Sequence, residues 1–236
     1  MPKLTIDNIQ VEVPSDASIL GASKQAGVKI PTLCYLENVQ AIGACRVCLV
    51  EMEGAKTLVA SCVTPVTEGM KVFTNTKRVR DARRTVVELL LSDHDGECQT
   101  CDRNNDCELQ ALAYRLGMTT PEYPYKWASI EVDASHPDVY IDRNRCVLCG
   151  RCVRSSRDLD KKQVFGFEGR GGETRVAINA DHGLSETGLS SADKAVALCP
   201  TGSIVIKRQG YRVPYGKRPY DKMPIGSDIE KKRTHK

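Results

Sequence analysis

Cys146-Val147-Leu148-Cys149-Gly150-Arg151-Cys152, answered far downstream by Cys199-Pro200, is the stretch on which the reading of this 236-residue chain turns. It holds four of eleven cysteines. An odd cysteine count, repeated Cys-x2-Cys pairs and an amino terminus without a basic segment leading into an apolar run point to bound metal in a reducing compartment, not to disulfides. Aromatic residues are scarce, at 5%, while glycine contributes 18 residues. Loops packed around cofactors are therefore expected in place of one large aromatic core, and the length suits two or three small modules.

The remaining cysteines sort by spacing. In the bacterial ferredoxin run, Cys-x2-Cys-x2-Cys-x3-Cys-Pro, the fourth cysteine serves a second cluster. Here the fourth position of the run is Ser156, and reading back from Cys199-Pro200 gives Leu189, Ala192 and Ala195 where a second cluster needs thiolates. One complete [4Fe–4S] set survives: Cys146, Cys149, Cys152 and Cys199. Upstream, Cys34, Cys45, Cys48 and Cys62 form Cys-x10-Cys-x2-Cys-x13-Cys, four thiolates on loops suited to a [2Fe–2S] cluster. Gly43 and Ala44 before Cys45 allow close approach of the backbone. The first gap is longer than the x4 of plant-type ferredoxins, and a four-cysteine structural zinc is the competing reading. Between these sets lies His94-x3-Cys98-x2-Cys101-x5-Cys107. Three cysteines cannot complete a four-iron cluster, and His94 is the nearest unclaimed ligand type; a Cys3His zinc site is the alternative. Imidazole in place of thiolate removes one negative charge and eases reduction. All eleven cysteines are used, so no thiol is left over for nucleophilic catalysis, and no catalytic residues are expected.

The same segments carry secondary-structure signals. Leu4 and Ile6, then Ile9, Val11 and Val13 around Asp7-Asn8, read as a hairpin with one buried face. Ser15-Asp16-Ala17-Ser18 starts a helix with Ile19, Leu20, Ser23 and Ala26 on one side and Gly27 as its stop. Strands follow at 47–53, 57–61 and 71–73. A helix over 76–92 repeats Val79, Ala82, Val86, Val87 and Leu90 at helical spacing, with Lys and Arg on a face read as solvated. Asp93, Asp95 and Gly96 mark a turn, and a second short helix passes through Leu109, Leu112, Ala113 and Leu116 to Gly117. Gly166–Gly172 reads as a tight loop, not a phosphate cradle. A strand over 203–206 follows Cys199-Pro200. Beyond Lys207 the chain is Pro-rich and polar, and its last six residues read as disordered.

The formal charge of +4 counts cysteines as neutral. Eleven thiolates and three oxidised cluster cores bring the loaded protein to about −1, so the composition does not argue for nucleic-acid binding. No stretch approaches the 18 or more apolar residues of a membrane span, and a cytoplasmic protein is expected.

Three ligand sets in this order resemble the amino-terminal region shared by the largest peripheral subunit of respiratory complex I, iron-only hydrogenases and the diaphorase gamma subunits of soluble NAD-reducing nickel–iron hydrogenases. The resemblance covers residues 4 to 207. It implies an α+β chain: a β-grasp [2Fe–2S] ferredoxin domain over 1–75, a helical [4Fe–4S] domain with one His and three Cys ligands over 76–128, a bacterial-ferredoxin-like [4Fe–4S] domain over 129–207, and a partner-binding or disordered tail over 208–236. The absence of a following catalytic domain makes the diaphorase gamma family the better match. That family implies an electron relay between a flavin- and NADH-binding subunit and a small Fe–S hydrogenase subunit, with FMN, NAD and the nickel–iron site on partners. An equivalent subunit of a complex I-type dehydrogenase or an NAD-dependent formate dehydrogenase is the related alternative. A zinc-stapled interaction protein is the alternative of another class.

Overall fold

Asp7 and Asn8 adopt left-handed backbone angles, φ 46° and 70°, the pair of positive φ values that closes a two-residue hairpin without splaying its strands. They join β1 (Lys3–Ile6) to β2 (Ile9–Glu12), pairing Ile6 with Ile9 and Leu4 with Val11. This is a computed structural model that describes residues 1–94, 97–118, 122–125, 129–209, 213 and 216–218. It forms two compact units, Met1–Glu88 with Leu116–Met118, and Leu89–Arg115 with Thr119–Lys236.

In the first unit β1 also pairs in parallel with β5 (Lys71–Phe73), and β3 (Leu49–Met52) joins β5 to β4 (Val59–Ala60), giving the order β2-β1-β5-β3-β4. Helix α1 (Ile19–Gln25) starts where expected: the Ser18 hydroxyl accepts the Gly21 N–H at 3.1 Å, satisfying a donor that the first turn leaves open. It stops at Gly27, whose φ of 69° suits glycine. Its buried side carries Ile19, Leu20, Ala22 and Ser23, with Ala22 in the place expected of Ala26. Leu4, Ile6, Val13, Val50 and Val72 complete the core, which also contains Cys48 and Cys62. Ile9, expected on the buried face, is 45% exposed because β2 is the edge of the sheet.

Helix α2 (Lys77–Ser92) buries Val79 and Val87. Its basic face is not wholly solvated. Arg83 is buried and donates from Nε and Nη2 to the Leu49 carbonyl at 3.1 and 2.7 Å, occupying an acceptor next to Cys48.

The second unit is built from short pieces. Helix α3 (Glu108–Arg115) carries Leu109 and Leu112 inward. Strand β6 (Val139–Ile141) pairs antiparallel with β9 (Ile204–Ile206), and α4 (Arg151–Asp158) and α5 (Lys194–Ala197) pack on each other. The Gly-rich stretch is a loop, as expected, but its first residues are extended. Strands β7 (Phe165–Glu168) and β8 (Arg175–Ile178) form a hairpin around it, and the Glu173 carbonyl fills the space a Cβ at Gly169 needs. Val139, Ile141, Val164, Phe165, Leu184 and Ile204 form this unit's core together with Cys152 and Cys199.

Among the described residues no helix is long and apolar enough to cross a membrane. Asp95 and Gly96 of the expected turn lie outside the described residues, as does the tail past Gln209 except Val213 and Gly216–Arg218.

Candidate metal centres

Cys34, Cys45, Cys48 and Cys62 are buried in the first unit, none more than 7% exposed. The loop that carries the middle pair bends through left-handed residues, Gly43 at φ 61° and Arg46 at φ 56°. A non-glycine residue held there is strained, and such turns gather backbone N–H groups toward an anionic centre. The Cys34 N–H donates to the Cys45 sulfur at 3.4 Å. The thiols are linked in a chain of side-chain contacts, Cys45 to Cys34, Cys34 to Cys62 and Cys62 to Cys48. Pairing with Cys45 and then Cys62 draws the Cys34 thiol down, and pairing with Cys62 draws Cys48 down to about 6. The partners Cys45 and Cys62 are pushed up by the same contacts. Four buried, mutually perturbed sulfurs, two of them with lowered pKa, form a soft donor set, the chemistry that binds iron–sulfur clusters.

Cys98, Cys101 and Cys107 lie on the turns leading into α3 and in the second unit. Cys107 is pushed up to about 12, by burial first, with Cys101 and Cys98 adding to it. The Gln110 N–H donates to its sulfur at 3.5 Å. His94 is in the same unit, 5% exposed, and its backbone N–H donates to the Leu91 carbonyl at 3.2 Å.

Cys146, Cys149, Cys152 and Cys199 line one cavity together with Pro200, Thr201 and Ser203. The three-cysteine loop turns through Leu148 at φ 49° and Gly150 at φ 66°, and the Leu148 N–H donates to the Cys146 sulfur at 3.4 Å. Burial raises Cys146 to about 11 and Cys149 to about 12, and Cys199 repels both. The distant Cys199-Pro200 segment is tied to this loop by side chains. Thr201 Oγ1 donates to the Arg145 carbonyl at 2.7 Å, and Ser203 Oγ donates to the Asp142 carbonyl at 2.8 Å.

The residues standing where a second ferredoxin cluster needs thiolates serve as structure. Leu189 and Ala195 are core residues, Ala192 is exposed, and the buried Ser156 hydroxyl accepts the Val164 N–H at 2.8 Å.

Among the described residues no three His, Cys, Asp or Glu side chains close around one point as a single-ion site. The donor chemistry, the N–H···S bonds and the left-handed loops fit clusters, which would be held by the cysteines described above.

Sequence reasoning missed the charged residues around these thiols. Arg151, between Cys149 and Cys152, is 6% exposed and grips both Glu108 oxygens at 2.6 and 2.9 Å. Arg145 Nη1 reaches the Cys101 sulfur at 3.7 Å. The Glu108 N–H donates to the Pro200 carbonyl at 2.9 Å. The residue after Cys107 is thus hydrogen-bonded to the residue after Cys199. The available signal was position: each of these arginines is adjacent to a cysteine, Arg145 to Cys146 and Arg151 to Cys152.

Family models match along the whole order. A 2Fe-2S iron–sulfur cluster binding domain matches residues 2–77, the NADH-ubiquinone oxidoreductase-G iron–sulfur binding region matches 83–122, and the ferredoxin-like domain of NADH-quinone oxidoreductase subunit 3 matches 136–205. The gamma subunit of the NAD-reducing hydrogenase HoxS of Cupriavidus necator is 33% identical, over 93% of this chain and 93% of that protein. The NADP-reducing hydrogenase subunit HndD of Solidesulfovibrio fructosivorans is 40% identical over 87% of this chain, which spans only 36% of HndD. A chain in the crystal structure of an H2-reduced NAD+-reducing [NiFe]-hydrogenase shares the fold with a TM-score of 0.89 and 35% identity, covering 94% of each chain. The chain belongs to the iron–sulfur subunit family that includes the gamma subunit of NAD-reducing hydrogenase.

Proposed function

We propose that this chain relays electrons within an NAD-reducing hydrogenase, between a flavin- and NADH-binding subunit and a small Fe–S hydrogenase subunit that leads to a nickel–iron site. The observation that carries this reading is the complete use of eleven cysteines in three ordered sets, on a fold shared over 94% of the chain with a subunit of such an enzyme. Cys34, Cys45, Cys48 and Cys62 would hold a [2Fe–2S] cluster on a β-grasp domain spanning 1–75. His94, Cys98, Cys101 and Cys107 would hold a [4Fe–4S] cluster on 76–128, and Cys146, Cys149, Cys152 and Cys199 a second on 129–207. Bound clusters supply one-electron carriers. The chain's own residues fix their spacing, exclude water and set their potentials through N–H···S bonds and nearby charge. No residue is assigned a catalytic role, the segment 208–236 is proposed as a partner-binding or disordered tail, and the assembly is proposed to be cytoplasmic.

Purification of the complex from its host, with metals and subunits identified, tests this. About ten irons per chain with matching acid-labile sulfide, plus nickel and flavin on co-purifying subunits, is the expected result. Zinc in place of iron overturns the cluster assignment. The NADH-ubiquinone and NADH-quinone oxidoreductase descriptions of the second and third matching models favour one further reading, a relay in a complex I-type dehydrogenase. Flavin without nickel would select it.

A further inference from the structure

We propose that Arg145 sets the reduction potential of the site formed by His94, Cys98, Cys101 and Cys107, by holding its guanidinium on the Cys101 sulfur. The inference rests on the relay reading and assigns a role in it to a residue of the neighbouring ligand segment.

Arg145 directly precedes Cys146, yet its Nη1 donates to Cys101 Sγ, 44 positions earlier, at 3.7 Å. Two contacts and one open position surround it there. Asp142 Oδ2 pairs with its Nε at 3.3 Å, and these side chains are only 11% and 19% exposed, Asp142 and Arg145 respectively. Thr201 Oγ1 fixes its main chain through the Arg145 carbonyl. Gly202 supplies the space, since a Cβ there would stand 2.8 Å from Cys101 Sγ and 3.4 Å from Arg145 Cδ. Arg103, also near Gly202, is taken up by the Asp106 carbonyl at 3.1 and 2.9 Å and by its carboxylate at 3.4 Å.

The physics has one sign. Reduction adds an electron to an already anionic site, and a cation hydrogen-bonded to a ligand sulfur stabilises the reduced form more than the oxidised form. Partial burial limits screening by salt. Asp142 opposes the effect, because its carboxylate lies against the same guanidinium. Removing the cation must lower the potential, and neutralising Asp142 must raise it. Generic damage to the loop does not produce opposite signs.

The test is EPR-monitored redox titration of the cluster-loaded complex carrying Arg145→Gln, Arg145→Lys or Asp142→Asn, with iron content measured on each. The signal of interest is the one that responds to His94→Cys. Arg145→Gln is expected to shift its reduced-to-oxidised ratio about tenfold toward oxidised at fixed potential, about 59 mV for a one-electron couple. Asp142→Asn shifts the same signal the other way and keeps an oxygen to accept the Asn144 N–H, which Asp142 Oδ1 accepts at 3.0 Å. Arg145→Lys, charged but without the planar fork, falls between Arg145→Gln and the parent. The signal of the Cys146 set moves less. An unmoved signal with full iron, equal shifts in all signals, or a downward shift with Asp142→Asn overturns the proposal. Should Arg145→Gln lose iron, Asp142→Asn decides alone. Absence of iron from the parent complex would refute the relay reading itself, a separate outcome.

Discussion

His94, proposed in place of a fourth thiolate, would change the charge of its site by one unit. Two histidines in Rieske centres raise the potential by roughly 250 mV or more over all-thiolate ferredoxins. One imidazole therefore accounts for a rise on the order of 100 mV. His94→Cys is expected to lower the midpoint of one [4Fe–4S] signal by that order in an EPR-monitored titration, leaving the [2Fe–2S] signal in place. An unchanged midpoint removes His94 from the ligand set. Gly202 offers a second test by size alone. A methyl group there must displace Cys101 Sγ, 2.8 Å from the added carbon. Gly202→Ala is expected to reduce iron from about ten toward about six atoms per chain while the [2Fe–2S] signal persists. Full iron content in that variant argues against Cys101 as a ligand.

Helices α3 and α4 meet through an ion pair whose two ends differ in burial. Arg151 has a side chain 7% exposed and Glu108 one 45% exposed, with bidentate contacts at 2.6 and 2.9 Å. Leaving the buried cation short of its anion costs about 1–2 kcal/mol, the lower part of the range for charged hydrogen bonds because solvent reaches Glu108. Glu108→Gln should lower the thermal midpoint of the loaded protein accordingly. Glu12→Gln, which only breaks an exposed pair with Lys3 at 3.9 Å, should leave the midpoint unchanged within error. The comparison also explains what was legible. Asp7-Asn8, Ser18 and Gly27 announced their turns and caps because those conformations restrict residue type locally. The Cys-x2-Cys pairs and the Cys-Pro step stood out because they are compact local patterns, whereas Cys199 joins Cys146, Cys149 and Cys152 in one cavity only through the fold. Helix α4 and the burial of Arg83, Arg151 and Arg154 were not. Pattern reading assigns arginine to solvent, whereas Arg154 donates to the Gly150 and Cys149 carbonyls at 3.2 and 3.4 Å. Strand β7 was hidden by Gly166, which reads as loop but is paired with Ala177 across the hairpin.

The two units differ in how much regular structure encloses their cysteines. In the first, a five-stranded sheet and α1 enclose a core in which Leu4, Ile6, Val13, Ile19, Val50 and Val72 pack together with Cys48 and Cys62. Three or more strands with a packed helix meet the requirement for independent stability. Among its described residues the second unit has only two-stranded sheets and helices of four and eight residues past Leu89. Elements this short are marginal in water without tertiary staples. Cys152 and Cys199 sit inside its core, where burial pushes the Cys152 thiol well up, so a thiolate charge there without a bound cation is costly. Metal-binding free energy becomes folding free energy in such a module. Iron removal from the full chain, followed by amide hydrogen exchange, should therefore separate the units. In the iron-free protein, protection is expected to persist in β1, β3 and β5, while β6, β9, α4 and α5 exchange within the shortest labelling times. Equal loss in both units would place the dependence in the whole chain. Retained protection in the second unit would show that its apolar core suffices, and that the clusters are guests of a fold that stands without them.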